Sequence, residues 1–359
     1  METIYQYGPY ELERYKKRDI VFPKYKELTR LHEQNCREYR QILKMYGVTA
    51  DSLWEMENIP MIPVRLFKEY SLKSVPQEKI VKTMLSSGTT GQASSQIFLD
   101  KDTALWQQKA LAKIVGDFIG RRRMPMLVLD TDDVIKDRTQ FSTRGAGILG
   151  FSAFGTRREF VLNRDMSINY EVLERFLKEH EGERILFFGF TFIIWKHFLL
   201  ELERCGKRYD LSNAVMVHGG GWKKLKSEAV SKKEFRERFA RTCGMRDIYE
   251  NYGMAEQTGS IFMECELGHL HVSMFSDIFI RDPKTLKVCE NGEKGILQVM
   301  SVLPHSYPGH SLLTEDVGVI LGEDDCPCGR KGKYFEILGR LKNAELRGCS
   351  DTYAAGIKE

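Results

Sequence analysis

The feature that most constrains the fold of this chain is a regular alternation of helix and strand patterns between residues 102 and 251. Helices are predicted over 102–119, 170–180, 191–205 and 231–243, and strands over 124–129, 184–190, 213–218 and 248–251. Strands that alternate with helices along the chain pair in parallel. The order therefore predicts an α/β fold in which parallel sheets are flanked by helices.

Different patterns lie on either side of this region. Apolar residues recur at helical steps over 25–46 and stop at Gly47, which predicts a helical N-terminal region. After residue 261, short strands are predicted at 270–274, 277–281, 295–301, 312–321 and 334–338. The sequence thus predicts an α/β portion over residues 1–260 and a β-rich portion over 261–341.

Composition excludes several classes of protein. Of the 359 residues 42% are hydrophobic and 29% are charged, which is typical of a globular chain. The 54 basic and 50 acidic residues are scattered, so no nucleic-acid-binding surface is predicted. The longest apolar run, 185–195, is about half of the ~20 residues that a membrane helix needs. The N-terminus lacks a secretory signal pattern, which predicts a cytoplasmic location and reduced thiols.

A polar, glycine-containing loop follows the strand-like segment 79–84 and precedes another strand at 96–100. It consists of Ser86, Ser87, Gly88, Thr89, Thr90 and Gly91. Its glycines permit close backbone approach, and its N–H groups and hydroxyls can donate to phosphate oxygens. It lacks the Gly-Lys-Ser/Thr ending of a P-loop. The loop is interpreted as a phosphate-binding turn, and a polar surface loop is the alternative.

Four further segments follow the loop along the chain. Gly219, Gly220 and Gly221 end a predicted strand with bare backbone, against which a flat ring can lie. Tyr252, Gly253 and Glu256 place an aromatic ring and a carboxylate at the end of the next strand. Asp316 lies beside a turn in the β-rich portion, and Arg340 ends its last strand. Each segment alone is equally compatible with an ordinary turn or a solvated charge.

In this order, the five segments resemble the adenylate-forming superfamily of acyl-CoA synthetases, adenylation domains and luciferases. The resemblance implies that the loop at 86–91 holds the β- and γ-phosphates of ATP. It implies an adenine pocket at Gly219, Gly220 and Gly221, with Tyr252 stacked on the base. It also implies that Glu256 binds Mg²⁺, that Asp316 and Arg340 contact the ribose, and that Lys342 is a hinge. Residues 342–359 then form the hinge and a C-terminal arm in place of the usual mobile domain.

The end of the chain resembles one branch of this superfamily, the acyl-protein synthetase (LuxE) family. In that family a cysteine on the C-terminal arm accepts the acyl group from the adenylate and passes it to a reductase. Cys349 matches this placement. A thiolate is a good nucleophile, and the neighbouring Arg347 favours its ionised form. A buried structural cysteine is the alternative.

Cysteines and histidines in the β-rich portion indicate a metal site. Cys326 and Cys328 are separated by one residue, and Cys265 with His271 completes a tetrahedral Cys₃His set. His269 is a rival of His271, because the two lie on opposite faces of a predicted strand and one alone faces inward. Resemblance to phenylacetate-type CoA ligases implies structural Zn²⁺. A set of reduced surface thiols is the alternative.

The acyl-binding pocket is predicted from apolar residues at the end of a strand. Phe188, Gly189 and Phe190 lie where α/β sheets bind ligands, although an aromatic core explains them equally well. Ser142 belongs to a predicted polar turn, with Thr143, Arg144 and Gly145, that approaches the substrate carboxylate. The predicted function is adenylation of a fatty or other hydrophobic acid, followed by transfer to Cys349 and to a reductase or carrier protein. The alternatives are an acyl- or aryl-CoA ligase and a non-catalytic nucleotide-binding scaffold.

Overall fold

A computed structural model describes residues 1–85, 94–136, 143–222 and 228–341 of the chain. Its α-helices are α1 Arg14–Asn35, α2 Arg37–Tyr46, α3 Leu66–Glu69, α4 Lys101–Ile119, α5 Thr143–Phe151, α6 Tyr170–Glu179, α7 Thr191–Ile193, α8 Leu200–Cys205 and α9 Lys232–Cys243. Its strands are β1 Ile62–Pro63, β2 Ile80–Leu85, β3 Gln96–Asp100, β4 Met124–Leu129, β5 Gly155–Phe160, β6 Ile185–Phe190, β7 Ala214–Gly219, β8 Asp247–Tyr252, β9 Phe262–Glu264, β10 Leu270–His271, β11 Ser276–Arg281, β12 Lys294–Ser301, β13 Ser311–Glu323 and β14 Lys333–Arg340.

The chain divides into two compact units, each built from separated segments. The first unit contains Met1–Ile114, Gly253–Phe262 and His269–Glu359, and the second contains Val115–Tyr252 and Met263–Gly268. Within the described residues, no helix is both long and apolar enough to cross a membrane.

The second unit contains a parallel sheet with the strand order β8-β7-β6-β4-β5. Every residue of β4, β6 and β7 is buried, as is typical of parallel strands whose two faces are both covered. The register pairs Phe190 with Gly219 and His218 with Glu250, so the carboxyl ends of three strands meet at one edge. The predicted alternation and the α/β class are confirmed.

The first unit contains a mainly antiparallel sheet with the strand order β11-β12-β13-β14-β10. β1 adds to β13 in parallel, and β2 pairs with β3 in a separate antiparallel pair. Strands are therefore present after residue 261 as predicted, and the division of the chain into portions 1–260 and 261–341 stays a prediction. The strand expected over 270–274 is shorter, because the Met274 N–H donates to the Pro9 carbonyl instead of continuing the ladder.

The N-terminal helical region differs from the prediction in extent. It begins at Arg14 and consists of two helices, because Cys36 is extended and interrupts them. The predicted stop is correct, since Gly47 caps α2 in the left-handed conformation with φ 66°. Asp100 caps the N-terminus of α4, because the Thr103 N–H donates to Asp100 Oδ1 at 2.9 Å.

The helix expected over 191–205 is divided by a π-helical segment. α7 ends at Ile193, residues 194–199 are π-helical, and α8 follows. The π segment carries Trp195, whose ring stacks on Phe235 of α9 at a centroid distance of 5.8 Å. Hydrophobic periodicity does not reveal such a segment, because its buried residues recur at a four-residue step that an α-helix also shows: Ile194, Trp195, Phe198 and Leu199.

Candidate active site

The phosphate-binding loop predicted at 86–91 lies outside the described residues, and only its flanking strands are described. β2 and β3 pair antiparallel, with Leu85 opposite Gln96. The predicted connection between two strands is therefore present in the first unit. Lys342 and Cys349 also lie outside the described residues.

Glu256 is a buried carboxylate of the first unit. It lies in a short 3₁₀ helix, Ala255–Gln257, and is 5% exposed. The Tyr307 hydroxyl donates to its backbone carbonyl at 2.9 Å, which fixes the turn. Burial raises the pKa of the Glu256 carboxyl, while the Ser95 hydroxyl opposes this effect. A buried carboxylate is stabilised by a cation, which suits the predicted role as a Mg²⁺ ligand.

Asp316 and Arg340 are brought together by the register of β13 and β14. The two residues are directly paired, and Arg340 Nε lies 3.1 Å from Asp316 Oδ1. The side chain of Arg340 is 66% exposed and that of Asp316 is 16% exposed. The backbone of Asp316 is held by its N–H donating to Thr314 Oγ1 at 3.1 Å. The two residues predicted to contact ribose therefore share one site.

The three glycines at the end of β7 serve different purposes within the second unit. A Cβ on Gly219 would lie 2.7 Å from the Asn251 carbonyl oxygen, and a Cβ on Gly220 would lie 2.8 Å from the Phe190 ring. Gly220 and Gly221 have φ values of 78° and 60°. Packing between neighbouring strands therefore requires the first two glycines. At Gly221 a Cβ would meet no atom of the described residues within 4 Å, so among these residues packing does not require this glycine.

His218 and Thr191 form a polar pair that the sequence did not single out. Thr191 Oγ1 lies 3.1 Å from the Gly219 carbonyl and 3.0 Å from His218 Nδ1. Because the hydroxyl donates to the carbonyl, it accepts from Nδ1–H, which leaves Nε2 of His218 as a hydrogen-bond acceptor. Burial, aided by Arg236 and Lys232, lowers the pKa of His218 to about 3. The imidazole is therefore neutral.

A small cavity of about 30 Å³ lies beside His218 in the second unit. Aromatic residues Trp222 and Phe235 form one part of its lining. The other part is a charged cluster of Lys232, Arg236, Glu250 and Glu264. The volume is sufficient for a water molecule but not for an acyl chain.

The charged cluster is held together by ion pairs around Glu264. Lys232 Nζ contacts Glu264 Oε2 and lies 3.7 Å from Glu250 Oε2, and Arg236 Nη2 lies 2.5 Å from Glu264 Oε1. The side chain of Glu264 is 2% exposed and that of Glu250 is 27% exposed. Desolvation, with the neighbouring Glu264 charge, raises the pKa of Glu250 to about 7.

The predicted acyl-pocket residues lie in the buried part of the second unit. The ring of Phe188 stacks on Phe151 at 4.3 Å, and Phe190 packs against Phe188 edge-on at 6.0 Å. A Cβ on Gly189 would lie 3.1 Å from Ile194 and from Leu129. These contacts agree with the aromatic-core alternative. A role in acyl binding stays a prediction.

The prediction of a polar turn over 142–145 is wrong from residue 143 onward, because these residues form the start of α5. Ser142 itself lies outside the described residues. Arg144 Nε lies 3.0 Å from Asp130 Oδ2, and the Asp130 side chain is fully buried. This ion pair anchors α5 to the end of β4.

Three of the four predicted metal ligands, His271, Cys326 and Cys328, come together within the first unit, and Cys265 belongs to the second unit. The ligand atoms of these three residues lie within 4.8 Å of one another. His271 Nε2 is 3.3 Å from Cys328 Sγ, and burial lowers the pKa of His271 to about 4, which keeps the imidazole neutral as a ligand must be. Three thiols and one imidazole form a donor set that fits Zn²⁺.

The reason given for preferring His271 over His269 is wrong. His269 precedes the two-residue strand β10, and its Nδ1 lies 3.4 Å from Cys326 Sγ. Both imidazoles stack on Tyr334, at 4.9 Å for His269 and 5.8 Å for His271. Both histidines therefore face cysteines of the first unit, His269 at Cys326 and His271 at Cys328.

Comparison with solved structures places the fold among adenylate-forming enzymes. A 2-hydroxyisobutyryl-CoA ligase, solved in an open conformation with 2-HIB-AMP and CoA, superposes with a TM-score of 0.71. The match is 15% identical in sequence and covers 92% of this chain and 76% of the ligase. The same ligase in the postadenylation state gives a TM-score of 0.69 at 15% identity, with 92% and 69% coverage.

Sequence comparison is more specific. The "Long-chain-fatty-acid--luciferin-component ligase" of Aliivibrio fischeri is 25% identical over 369 residues, covering 100% of this chain and 94% of the relative. The Vibrio harveyi protein of the same name is 24% identical over 329 residues, with 89% and 83% coverage. A family model described as "Acyl-protein synthetase, LuxE" matches residues 2–357. This chain therefore belongs to the LuxE acyl-protein synthetase family and is a ligase.

Proposed function

We propose that this chain uses ATP to activate a fatty or other hydrophobic carboxylic acid as an acyl-adenylate, and then transfers the acyl group to its own Cys349. The observation that carries this proposal is the family match over residues 2–357. It is supported by the names of two relatives, which describe ligases of long-chain fatty acids. It is also supported by a fold shared with a ligase that was solved with an acyl-adenylate.

In the first step an oxygen of the substrate carboxylate attacks the α-phosphorus of ATP. A new O–P bond forms, the bond from the α-phosphorus to the bridging oxygen breaks, and pyrophosphate leaves. Two anions approach each other in this step, so their charge must be neutralised. Mg²⁺ supplies that neutralisation when bound, and the buried Glu256 carboxylate would hold it. The paired Asp316 and Arg340 would bind the ribose.

In the second step the Cys349 thiolate attacks the acyl carbonyl carbon. The new C–S bond forms as the C–O bond to AMP breaks, AMP leaves, and the thiol proton passes to solvent. The thioester keeps the acyl group activated for a protein acceptor, such as an acyl reductase or a carrier protein. CoA is the alternative acceptor, because the 2-hydroxyisobutyryl-CoA ligase was solved with CoA bound.

Pyrophosphate release tests the first step. The purified chain with ATP and Mg²⁺ is supplied with saturated acids of increasing length and with aryl acids, and release above the acid-free rate is expected for at least one. The Glu256→Gln variant should lose this release, because the amide does not hold a cation as a carboxylate does. Absence of release with every acid would favour the non-catalytic scaffold.

Radioactive acid tests the second step. We expect a hydroxylamine-sensitive label on the protein that the Cys349→Ala variant loses, while pyrophosphate release persists. Cys205→Ala is the matched control, because Cys205 is an exposed thiol of the second unit and should leave the label unchanged. Label that persists in Cys349→Ala contradicts the transfer to this thiol. Acyl-CoA formed by that variant when CoA is added would identify the alternative acceptor.

We also propose a structural Zn²⁺ at Cys265, His271, Cys326 and Cys328, supported by the proximity of the three ligands in the first unit and by the donor chemistry of the set. Elemental analysis of the purified chain should give about one equivalent of zinc. The Cys326→Ser variant should lose it, whereas Cys243→Ser, at a buried thiol outside the set, should retain it. A metal content below about half an equivalent in the unaltered chain contradicts the site.

A further inference from the structure

The short helix α3 presents one lysine at the surface of the first unit. Its residues Leu66 and Phe67 are 0% and 1% exposed, whereas Lys68 is exposed. β1, which precedes α3, pairs in parallel with β13, and the Val64 N–H continues this pairing by donating to the Leu313 carbonyl at 3.0 Å. Two buried side chains and the strand pairing therefore hold the backbone from which Lys68 projects.

The same helix is connected to the turn that carries Glu256. The ring of Phe67 packs edge-on against Tyr307 at a centroid distance of 6.2 Å. The Tyr307 hydroxyl in turn donates to the Glu256 carbonyl at 2.9 Å. Burial raises the pKa of the Glu256 carboxyl, and the positive charge of Lys68 is near enough to oppose this effect. Lys68 therefore lies near the buried carboxylate that is proposed to hold Mg²⁺.

Two other cations in this part of the first unit are paired with carboxylates. Arg65 Nε lies 2.7 Å from Glu69 Oε1, and Arg340 Nε lies 3.1 Å from Asp316 Oδ1. For Lys68, no carboxylate oxygen of the described ranges lies within 4.0 Å of the ammonium. A lysine of this kind is ordinarily a solvated surface charge. Its place near a buried carboxylate, on a backbone that is held by packing, distinguishes it from the other surface lysines.

We propose that Lys68 binds a phosphate oxygen of ATP near Glu256 and supplies positive charge to the adenylation step. This role rests on the proposed function. Adenylation brings a carboxylate to a triphosphate, whose negative charge exceeds what one divalent cation balances. An ammonium on a flexible stem is a common phosphate ligand, because its three N–H groups adapt to the position of the oxygens. Phosphates whose Mg²⁺ is held by Glu256 would lie in the part of the first unit that Lys68 occupies.

Binding of ATP and of adenosine tests the phosphate contact. The two probes share the base and the ribose and differ in the phosphates. Titration calorimetry on the full chain with Mg²⁺ should show that Lys68→Met weakens ATP binding about 10- to 100-fold and leaves adenosine binding unchanged. Lys68→Arg keeps the positive charge and should retain most of the ATP affinity. Lys44→Met is the control, because Lys44 is an exposed lysine of α2, and its ATP affinity should equal that of the unaltered chain.

Three results would contradict this role of Lys68. Equal ATP affinity in Lys68→Met and the unaltered chain would show that Lys68 only balances the Glu256 charge. Tighter ATP binding by Lys68→Met would show that the ammonium repels Mg²⁺. An equal loss of ATP and adenosine affinity, with a lowered urea midpoint, would show that the substitution damages the fold. Failure of the unaltered chain to bind ATP would instead contradict the proposed function, and the role of Lys68 with it.

Discussion

The Glu250→Gln substitution should change how the stability of the second unit depends on pH. In the folded chain, desolvation and the Glu264 charge raise the pKa of Glu250 to about 7 from its ordinary 4.5. The side chain is 27% exposed, so bulk water screens this effect only in part. One pKa unit corresponds to about 1.4 kcal/mol, so the full difference is equivalent to about 3 kcal/mol.

The sign of the effect follows from proton binding. Between about pH 4.5 and pH 7 the folded chain retains a proton on Glu250 that the unfolded chain has released. Stability contributed by this group is therefore present below about pH 4.5, falls as the pH rises through the window, and is constant above about pH 7. Glutamine is neutral throughout, so the variant lacks this loss. The free energy of unfolding of the variant minus that of the unaltered chain should therefore be about 2 kcal/mol larger at pH 8 than at pH 5.

Urea unfolding at pH 5 and pH 8, followed by tryptophan fluorescence, measures this difference. Trp195 and Trp222 lie in the same unit as Glu250 and report on its unfolding. Glu237→Gln is the control, because Glu237 lies on α9 and its side chain is 59% exposed. This control variant should change the unfolding midpoint equally at both pH values. If Glu250→Gln shifts the unfolding midpoint equally at pH 5 and pH 8, the desolvated pair of carboxylates is not the cause and the reasoning fails.

Substitutions at two other positions test the packing of the site residues, and a chelator tests the proposed metal. Gly219→Ala should lower the free energy of unfolding by about 1 to 3 kcal/mol. The new Cβ would lie 2.7 Å from the Asn251 carbonyl oxygen, which is fixed in the neighbouring strand. An unchanged urea midpoint would contradict this expectation. Thr191→Val should cost about 1 kcal/mol by removing the hydroxyl between His218 and Gly219, whereas Thr191→Ser should restore the urea midpoint. Removal of the metal by a chelator should lower the Tm of the unaltered chain but not that of Cys326→Ser, and equal shifts would show that the chelator acts elsewhere.

The order of elements in the second unit could be predicted because hydrophobic periodicity is local. β4 and β6 are apolar runs with every residue buried, and the residues that flank them carry turn and cap signals. Asp100 and Gly47 mark helix ends by their own backbone and side-chain chemistry. The break at Cys36 and the π segment at 194–199 have no such local signal, so the sequence predicted continuous helices there.

Candidate metal ligands could be named from the sequence because few residue types bind zinc. Cysteine and histidine at short spacing indicate a metal without knowledge of the fold, and His271, Cys326 and Cys328 come together in the first unit. The choice between His269 and His271 needed the fold. Strand alternation determines whether a side chain points inward or outward only inside a regular strand. β10 contains only two residues, so this rule does not apply to His269.

The charged cluster was missed for a physical reason. Lys232, Glu250 and Glu264 lie on separate elements, and each alone resembles an ordinary solvated charge. Their energies depend on desolvation and on distances of a few ångströms, which are set by strand register and helix packing.

By itself the sequence determined the α/β class, the order of the elements and the types of chemical group at the candidate site, because these depend on local periodicity and residue type. The tertiary structure decided which of those groups meet and in what environment. It pairs Asp316 with Arg340 through strand register, buries Glu256, and raises the pKa of Glu250. Electrostatic and packing energies vary steeply with distance and burial, and neither quantity exists until the chain has folded.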